Sequence, residues 1–182
     1  MERYRITADA AVYYVTYSIV EWLPVFVSED VCRIVTDSLN FCHQNKGLRI
    51  NAMVIMPTHL HAIVFHKDFR PEPLEGALTD FRKFTGRSLS DYCLHATPLC
   101  FRETLQENAT PDRKRRLWQP SRHPVALLSE KFWRQKLDYL HENPVRKGLV
   151  RRARDWRFSS AAWYVSDTRE PCDVMLTAIN WS

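Results

Sequence analysis

The sequence predicts an α+β fold, in which helices pack on an antiparallel sheet. Three segments have the apolar pattern of strands, and a tight turn joins two of them as antiparallel neighbours. Apolar residues at helical spacing mark further segments between and after these strands. Because no linker rich in Gly, Ser or Pro divides the 182 residues, we expect one domain over residues 1–165 and a tail over residues 166–182 that can dock on it.

The first two elements are a strand and a helix. Residues 12–19, VYYVTYSI, alternate in polarity and are rich in aromatic and β-branched side chains, which predicts a strand. A helix is predicted over residues 29–45, because Ser28 is a favourable N-cap, acidic residues occupy the first turn and Gly47 lies beyond the end.

A hairpin and a second helix follow. Residues 48–56, LRINAMVIM, and residues 59–65, HLHAIVF, are apolar enough to be buried strands. Pro57-Thr58 between them predicts the tight turn of an antiparallel hairpin. Apolar residues at helical spacing then predict a helix over about residues 74–92.

The second half of the chain contains weaker signals. Residues 96–117 are polar and are predicted to be irregular, and VALLS at 125–129 is predicted to be a short edge strand. A last helix is predicted over residues 129–143, with Ser129 as its cap and with Pro144 and Gly148 closing it. No further helix or strand is predicted after it.

The formal net charge of +5 conceals a strong asymmetry along the chain. Residues 113–157 contain 14 Lys and Arg against 4 Asp and Glu, a net charge of +10, so the remainder carries −5. Basic residues interleaved with tryptophans suit a polyanion with stackable bases, which indicates nucleic acid. On charge alone, a solvated basic surface is an equally good interpretation.

Other features of the composition exclude several protein classes. The charged N-terminus, MERYRITADA, lacks the apolar segment of a signal peptide, and no run of apolar residues is long enough to span a membrane. The five cysteines are odd in number, widely spaced and without a C-x-x-C pair, which indicates reduced thiols rather than disulfides or a zinc site. We therefore expect a cytoplasmic protein with no membrane partner.

Two histidines lie one residue apart on the second strand of the predicted hairpin. Since strand side chains alternate, His59 and His61 should share a face, which becomes apolar at Ile63 and Phe65. His66 has the opposite parity and should point away. The pair is interpreted either as two hydrogen-bonded structural histidines or as two neutral imidazoles that bind one divalent metal.

The predicted last helix carries a tyrosine beside its apolar face. Its apolar stripe consists of Trp133, Leu137 and Leu140, and Tyr139 lies about 120° from the centre of that stripe. Asn143 follows one turn later, so its amide should lie beside the phenol. A boundary aromatic and a helix terminator before proline are the ordinary structural interpretations of these two residues.

Four stretches of the chain together resemble a known family. MPTHLHAIV, TDFRKFTGRSL, YLHENPVRKGLV and DWRFSSAAWY occur in this order between Tyr13 and Tyr164. They resemble the REP-associated tyrosine transposases, which are relatives of the single-strand insertion-sequence transposases in the His-hydrophobic-His (HUH) nuclease superfamily. The conjunction of H-x-H, Y-x-x-x-N-P-V and W-x-x-S-S makes the resemblance specific.

The resemblance implies a fold, a nucleophile and a metal site. The sheet would be ferredoxin-like, and Tyr139 on a packed helix would be the catalytic nucleophile that forms a 5′-phosphotyrosine intermediate. His59 and His61 would bind a divalent metal, Mg²⁺ or Mn²⁺. Asn143 matches the position of the third metal ligand, at which the insertion-sequence relatives carry glutamine, and a water could bridge this shorter side chain to the metal.

The resemblance also implies a substrate and an activity. The substrate would be single-stranded DNA with hairpin structure, in particular repetitive extragenic palindromes, which a nucleoid-associated enzyme would nick and rejoin. The candidate DNA-binding residues are Lys83, Arg115, Arg116, Trp118, Arg146, Lys147, Arg151 and Arg152. For Trp118, stacking on a base and a place in the core are both open. A homodimer stays open, because the insertion-sequence relatives share sites between two subunits whereas the palindrome-associated branch can act as monomers.

Two alternative functions stay open at this point. One is a domesticated protein that binds DNA or RNA without cutting it, against which the intact set of His59, His61 and Tyr139 argues. The other is a metal hydrolase that uses activated water, with Tyr139 in a structural role. The group that removes the phenolic proton is open as well, with Lys136 as one candidate, and the tail beyond Val165 is a candidate regulator of the cleft.

Overall fold

A four-stranded antiparallel sheet forms the centre of the fold. The computed structural model describes residues 6–7, 10–111, 114–120, 124–165 and 169–181. The strands are β1 (Val12–Ser18), β2 (Leu48–Met56), β3 (His59–His66) and β4 (Val125–Ala126), and they lie in the order β2-β3-β1-β4. Helices connect β1 to β2 and β3 to β4, and a tight turn connects β2 to β3, which gives the ferredoxin-like β-α-β-β-α-β arrangement. The predicted α+β architecture is confirmed.

Helices cover both faces of the sheet. They are α1 (Glu29–Asn45), α2 (Pro71–Ala96), α3 (Leu99–Glu107), α4 (Glu130–Arg146) and α5 (Ala161–Val165). The buried residues of α1 and α2 form one apolar core with Tyr13, Val15 and Tyr17 of β1. Leu137 and Leu140 of α4 belong to a second core on the opposite face. Because side chains alternate along a strand, each strand contributes to both cores.

Local signals place most of these elements where the sequence predicts them. The bounds of α1, β2 and β3 agree with the prediction to within one residue. Ser28 occupies the N-cap of α1, although its hydroxyl lies 3.1 Å from the hydroxyl of Tyr92 and makes no bond to the helix amides. Ser129 caps α4 as predicted, because its side chain accepts a hydrogen bond from the amide of Phe132.

Two predictions in the middle of the chain are wrong. α2 is longer than predicted at both ends, since Pro71 suits the first turn of a helix and the buried Cys93 extends its apolar face beyond residue 92. α3 lies within the segment 96–117 that the sequence predicts to be irregular. α3 buries Leu105 and packs Phe101, one turn earlier, partly against the core, so its apolar stripe is too short to be recognised in the sequence.

The end of α4 also differs from the prediction. Pro144 does not close the helix, which continues to Arg146, and the amide of Lys147 donates to the carbonyl of Asn143 at 3.1 Å. A proline removes one helical amide donor, but few bonds remain to be lost in the last turn. Gly148, with a φ of +69°, follows the helix in the left-handed conformation that suits a C-terminal cap.

The described part of the tail follows the outer edge of β2. The amide of Thr177 donates to the carbonyl of Ile50 at 2.8 Å, and the side-chain amide of Asn51 donates to the carbonyl of Thr177 at 3.0 Å. Trp181 packs against Trp133 of α4, with ring centroids 6.2 Å apart. Residues 166–168 and 182 lie outside the described ranges. The contacts attach the tail to the domain, and its regulatory role stays a prediction.

The described ranges contain free cysteines and no membrane-spanning helix. All five cysteines lie within them, and each is a free thiol, as predicted. No helix in the described part of the chain combines the length and the apolar character needed to cross a membrane.

Candidate active site

The two histidines of the H-x-H motif lie side by side on β3. His59 and His61 point to the same face, and their ring centroids are 4.6 Å apart. Ile63 and Phe65 continue that face into the apolar core under α4. His66, of opposite parity, is buried against Gly47 on the other face. The predicted placement of the two imidazoles on one face is confirmed.

A threonine hydroxyl holds each imidazole. Thr16 lies opposite His61 across β1 and β3, and its Oγ1 is 2.8 Å from Nδ1 of that ring. Thr58, in the hairpin turn, places its Oγ1 2.9 Å from Nδ1 of His59. When the hydroxyl accepts the Nδ1 proton, the lone pair of Nε2 becomes available to a ligand. The motif itself contains Thr58, whereas Thr16 could be found only through the pairing of distant strands.

Burial keeps both imidazoles neutral. It lowers the pKa of His59 to about 4, with a further contribution from the positive charge of Lys147. It lowers the pKa of His61 to about 3, and the neighbouring His59 and Lys136 act in the same direction. Neutral imidazole is the form that binds metal, so both rings are competent donors at neutral pH.

The donor set fits a divalent ion that keeps open coordination positions. Two imidazole nitrogens on one face suit Mn²⁺, or Mg²⁺ with additional oxygen ligands. The described part of the chain contains no cluster of three or more His, Cys, Asp or Glu side chains that could enclose an ion. Asn143 is buried, and its side-chain amide donates to the carbonyl of Tyr139 at 3.3 Å. Its role as a third ligand stays a prediction.

Tyr139 lies at the edge of the imidazole pair. α4 crosses the same face of the sheet, so the centroid of the phenol ring is 6.0 Å from that of His61, and the residue is 41% exposed. The ring of Tyr14 contacts both, at 5.2 Å from His61 and 6.4 Å from Tyr139. The fold thus brings together side chains that are about 80 residues apart in the sequence.

Tyr14 belongs to this site although no sequence motif marks it. It pairs with Ile63 across β1 and β3, which places its ring next to His61. Burial, and to a smaller extent the nearby phenol of Tyr139, raise the pKa of Tyr14, so its hydroxyl stays protonated. The sequence signal that could have identified Tyr14 is its spacing from Thr16. The two residues are two positions apart on β1, so their side chains lie on the same face of the sheet.

Three basic side chains surround the phenol and the imidazoles. The ammonium of Lys136 lies 5.8 Å from the centre of the Tyr139 ring. The guanidinium of Arg146 lies 5.0 Å from the same centre. Lys147 is close enough to His59 to lower its pKa. An exposed phenol flanked by positive charges is a favourable place for a phosphate group.

The W-x-x-S-S stretch anchors α4 behind the site. The amide of Met53 in β2 donates to Oγ of Ser160 at 2.9 Å, and the Ser160 hydroxyl donates to the Met53 carbonyl at 3.2 Å. The same Oγ lies 2.8 Å from Nε2 of His141 on α4. Burial lowers the pKa of His141 to about 4, so this contact involves a neutral ring. These bonds attach to β2 the helix that carries Tyr139.

A second basic region, the basic groove, lies on the other side of the sheet. It has a volume of about 740 Å³ between α2 and the segment after α3, and its basic side chains are Arg82, Lys83, Arg87, Lys114, Arg115 and Arg116. Three of these are predicted DNA-binding residues. Because α2 and α4 cover opposite faces, the sheet separates the groove from Tyr139. Arg113, of the predicted basic run, lies outside the described residues.

Trp118 forms the floor of the basic groove. Its side chain is 4% exposed, and its indole N–H donates to the hydroxyl of Thr85 at 3.1 Å. Gly86 lacks a Cβ, which lets α2 approach the indole closely. The predicted stacking of Trp118 on a DNA base is not supported, because a buried ring has no free face.

The other predicted DNA-binding residues lie at or beyond the end of α4. Arg146 and Lys147 reach the phenol and the imidazoles. Arg151 is exposed. Arg152 forms two hydrogen bonds with the carboxylate of Asp155, at 2.8 and 2.9 Å, so its charge is partly neutralised by its own neighbour. Arg146 and Lys147 are therefore the best placed of these four for a phosphate.

Comparison with known proteins gives one curated relative and a solved structure. No family model matches the chain. The REP-associated tyrosine transposase of Escherichia coli (strain K12) is 27% identical over 117 residues, which are 64% of this chain and 56% of that protein. The matched part thus spans little more than half of the curated relative.

The fold comparison covers the whole chain. The structure of a REP-associated tyrosine transposase bound to a REP hairpin aligns with a TM-score of 0.67 and 19% identity, over 100% of this chain and 94% of the other. At this identity the alignment establishes a common fold. The resemblance found in the sequence is confirmed, and this chain is similar in sequence to a REP-associated tyrosine transposase and shares the fold of one.

Proposed function

We propose that this protein is a tyrosine-dependent transposase that cuts and rejoins single-stranded DNA next to hairpins. The observation that carries the proposal is the position of Tyr139, an exposed phenol whose ring centre is 6.0 Å from that of His61. The similarity to a REP-associated tyrosine transposase and the positive charge around the phenol support it. A phenol with only a structural role would need neither the adjacent imidazole of His61 nor the positive charges around it.

We further propose that His59 and His61 hold a divalent ion, Mn²⁺ or Mg²⁺, with Asn143 as a third donor. Bound there, such an ion would polarise a non-bridging phosphate oxygen and stabilise the negative charge that develops on it. The neutral rings and their threonine partners support this assignment. Lys136, Arg146 and Lys147 would hold the phosphate next to the phenol.

The proposed chemistry is a transesterification. Oη of Tyr139 attacks the scissile phosphorus, a P–O bond to the phenol forms, and the P–O3′ bond breaks. The phenolic proton leaves to solvent, and the departing O3′ takes up a proton to become a free hydroxyl. The 5′-phosphotyrosine conserves the phosphodiester, so a second 3′-hydroxyl can reverse the step and join a new strand without ATP.

The basic groove suits the backbone of the hairpin stem. Its cationic side chains are presented along one concave surface, and binding of this kind depends on neutralising phosphates. The curated relative is named for REP sequences, and the solved relative carries a REP hairpin, which supports the same substrate class here. His59, His61 and Tyr139 of one chain lie together, which supports a site within a single subunit, and a homodimer stays open.

A covalent-adduct assay tests the function. The protein is incubated with Mn²⁺ or Mg²⁺ and a labelled hairpin oligonucleotide with single-stranded flanks, and denaturing gels are examined for a protein–DNA adduct. We expect an adduct in the wild type and in Tyr92→Phe, whose hydroxyl contacts Ser28 far from the site, and none in Tyr139→Phe. Cleavage without an adduct would instead indicate a hydrolase, and binding without cleavage would indicate a DNA-binding protein.

A further inference from the structure

An exposed tryptophan lies at the free side of His59. Trp22, in the loop between β1 and α1, is 57% exposed, and its ring centroid is 6.1 Å from that of His59 at an interplanar angle of 85°. Trp22 therefore presents a large aromatic surface to solvent directly beside a candidate metal-binding imidazole. Nothing in the transesterification proposed above uses this ring.

The backbone of this loop is strained and firmly anchored. Glu21 and Trp22 have φ values of +48° and +53°, a left-handed conformation that side chains rarely adopt in succession. The strain persists because the flanking backbone is bonded on both sides. The amide of Ile19 donates to the carbonyl of Thr58 at 3.0 Å, and the amide of Phe26 donates to the carbonyl of Pro57 at 3.0 Å. The loop is therefore tied to the turn that precedes His59.

The loop also adjoins the basic groove. The amide of Val20 donates to the carbonyl of Leu117 at 2.8 Å, and Ile19 forms a bridge with Trp118, the floor of the groove. The loop that carries Trp22 therefore contacts the lining of the basic groove through Ile19 and Val20, while Trp22 itself lies against His59. A strand that leaves a hairpin in the groove and follows this loop would meet the indole at the edge of the imidazole pair.

Trp22 and Tyr139 flank the imidazole pair from opposite ends. Trp22 lies at the turn end of β3, next to His59. Tyr139 lies beyond His61 and packs on Tyr14, which pairs further along the strand with Ile63. In an in-line displacement at phosphorus the attacking and leaving oxygens lie on opposite sides. Attack from Tyr139 therefore directs the departing O3′ towards Trp22.

We infer that Trp22 is the stacking platform for the unpaired base directly 5′ of the scissile phosphate, the nucleotide that departs with the 3′-hydroxyl. The inference rests on the proposed function. An exposed indole stacks on any base, so the platform selects for an unpaired nucleotide and not for a particular sequence. A base inside a duplex offers no free face, which makes this nucleotide the point where single-strandedness is required.

The test measures stacking without cleavage. The full chain, with EDTA present, is mixed with hairpin oligonucleotides in which each flanking nucleotide in turn is 2-aminopurine, a base whose fluorescence is quenched by stacking. We expect quenching directly 5′ of the bond that the wild type cuts when Mn²⁺ is added, its loss in Trp22→Ala and its retention in Trp22→Phe. An abasic nucleotide at that position should weaken wild-type binding roughly ten-fold and leave the affinity of Trp22→Ala unchanged.

Phe41→Ala is the matched control, because it removes an aromatic side chain of similar exposure, 56%, from α1. Quenching that survives in Trp22→Ala, or that is lost equally in Phe41→Ala, would overturn the inference. Trp22-dependent quenching on the 3′ side of the cut would overturn the assignment to the departing strand. Failure of the proposed function is detected separately, in the adduct assay, if the wild type forms no protein–DNA adduct. The fluorescence measurement, which needs no cleavage, still shows whether Trp22 stacks on a base.

Discussion

Thr16 faces His61 directly across β1 and β3, and its hydroxyl oxygen is 2.8 Å from Nδ1 of the imidazole. The bond sets the orientation of the buried ring and favours the tautomer that presents Nε2 to the open side of the site. Thr58 does the same for His59 through the turn. Two hydroxyls, one on β1 and one in the hairpin turn, therefore prepare a pair of ring nitrogens for one ligand.

Removing the Thr16 hydroxyl should weaken metal binding. Thr16→Val keeps the shape of the side chain but frees the His61 ring, and loss of such a partner typically costs about 10- to 100-fold in metal affinity. Calorimetric titration with Mn²⁺ measures the effect. Thr104→Val, on the exposed surface of α3, should bind as the wild type does. Equal affinity in Thr16→Val and wild type would contradict the proposed orientation.

Stability should fall in acid because of His141. Its folded pKa, about 4, lies below the ordinary value of 6.5, so the unfolded chain binds the proton first as the pH falls. The contribution of neutral His141 to the free energy of unfolding is complete above about pH 6.5. It is lost progressively down to about pH 4, by up to about 3 kcal/mol. Urea unfolding with EDTA at pH 7.0 and 4.5 should show a smaller loss in His141→Gln than in wild type. His95→Gln, on an exposed side chain, should not change the loss.

Ser160→Ala should destabilise the fold. The substitution leaves the amide of Met53 and the ring of His141 without a buried partner, which costs about 1–3 kcal/mol, while the Met53 carbonyl still accepts from the amide of residue 160. Chemical denaturation measures this loss. Ser90→Ala is the control, since that hydroxyl only bonds to the carbonyl of Gly86 in its own helix. An effect no larger than that of the control would show that Ser160 does not anchor α4.

Neutralising the basic groove should weaken DNA binding without removing the chemistry. The double variant Lys83→Gln, Arg116→Gln should bind a hairpin oligonucleotide less tightly, and the slope of log affinity against log salt should fall by about 0.9 for each lost phosphate contact. Adduct formation at saturating DNA should persist. Arg33→Gln, whose charge pairs with Glu29 on α1, is the control. An unchanged salt slope in the double variant would remove the groove from the binding surface.

The fold follows from local signals where these are strong. β1 and α1 are recognisable because one-sided burial leaves a period of two or of 3.6 in the sequence. β2 and β3 are recognisable because burial of both their faces leaves continuous apolar runs. α3 is missed because its apolar stripe is short, with Leu105 buried and Phe101, one turn earlier, only partly buried. The continuation of α4 through Pro144 is missed because a proline in the last turn costs less than one in the interior.

The candidate site is only half visible in the sequence. The H-x-H pair is visible because both histidines lie on one strand, and Tyr139 becomes a candidate through its motif. Tyr14, Thr16 and Trp22 lie on or after a strand whose register with β3 no local pattern specifies. Trp118 illustrates the reverse error, since a tryptophan in a basic segment suits either stacking or a core, and only its burial decides.

The tail covers part of the exposed edge of β2. Its backbone bonds occupy part of the outermost strand, whose unpaired amides and carbonyls would otherwise be a template for a second chain. Deleting the tail would therefore promote self-association through strand addition as well as uncover any surface beneath it. Substituting Trp181 alone releases its contact with Trp133 and leaves the strand covered, so the two effects can be separated.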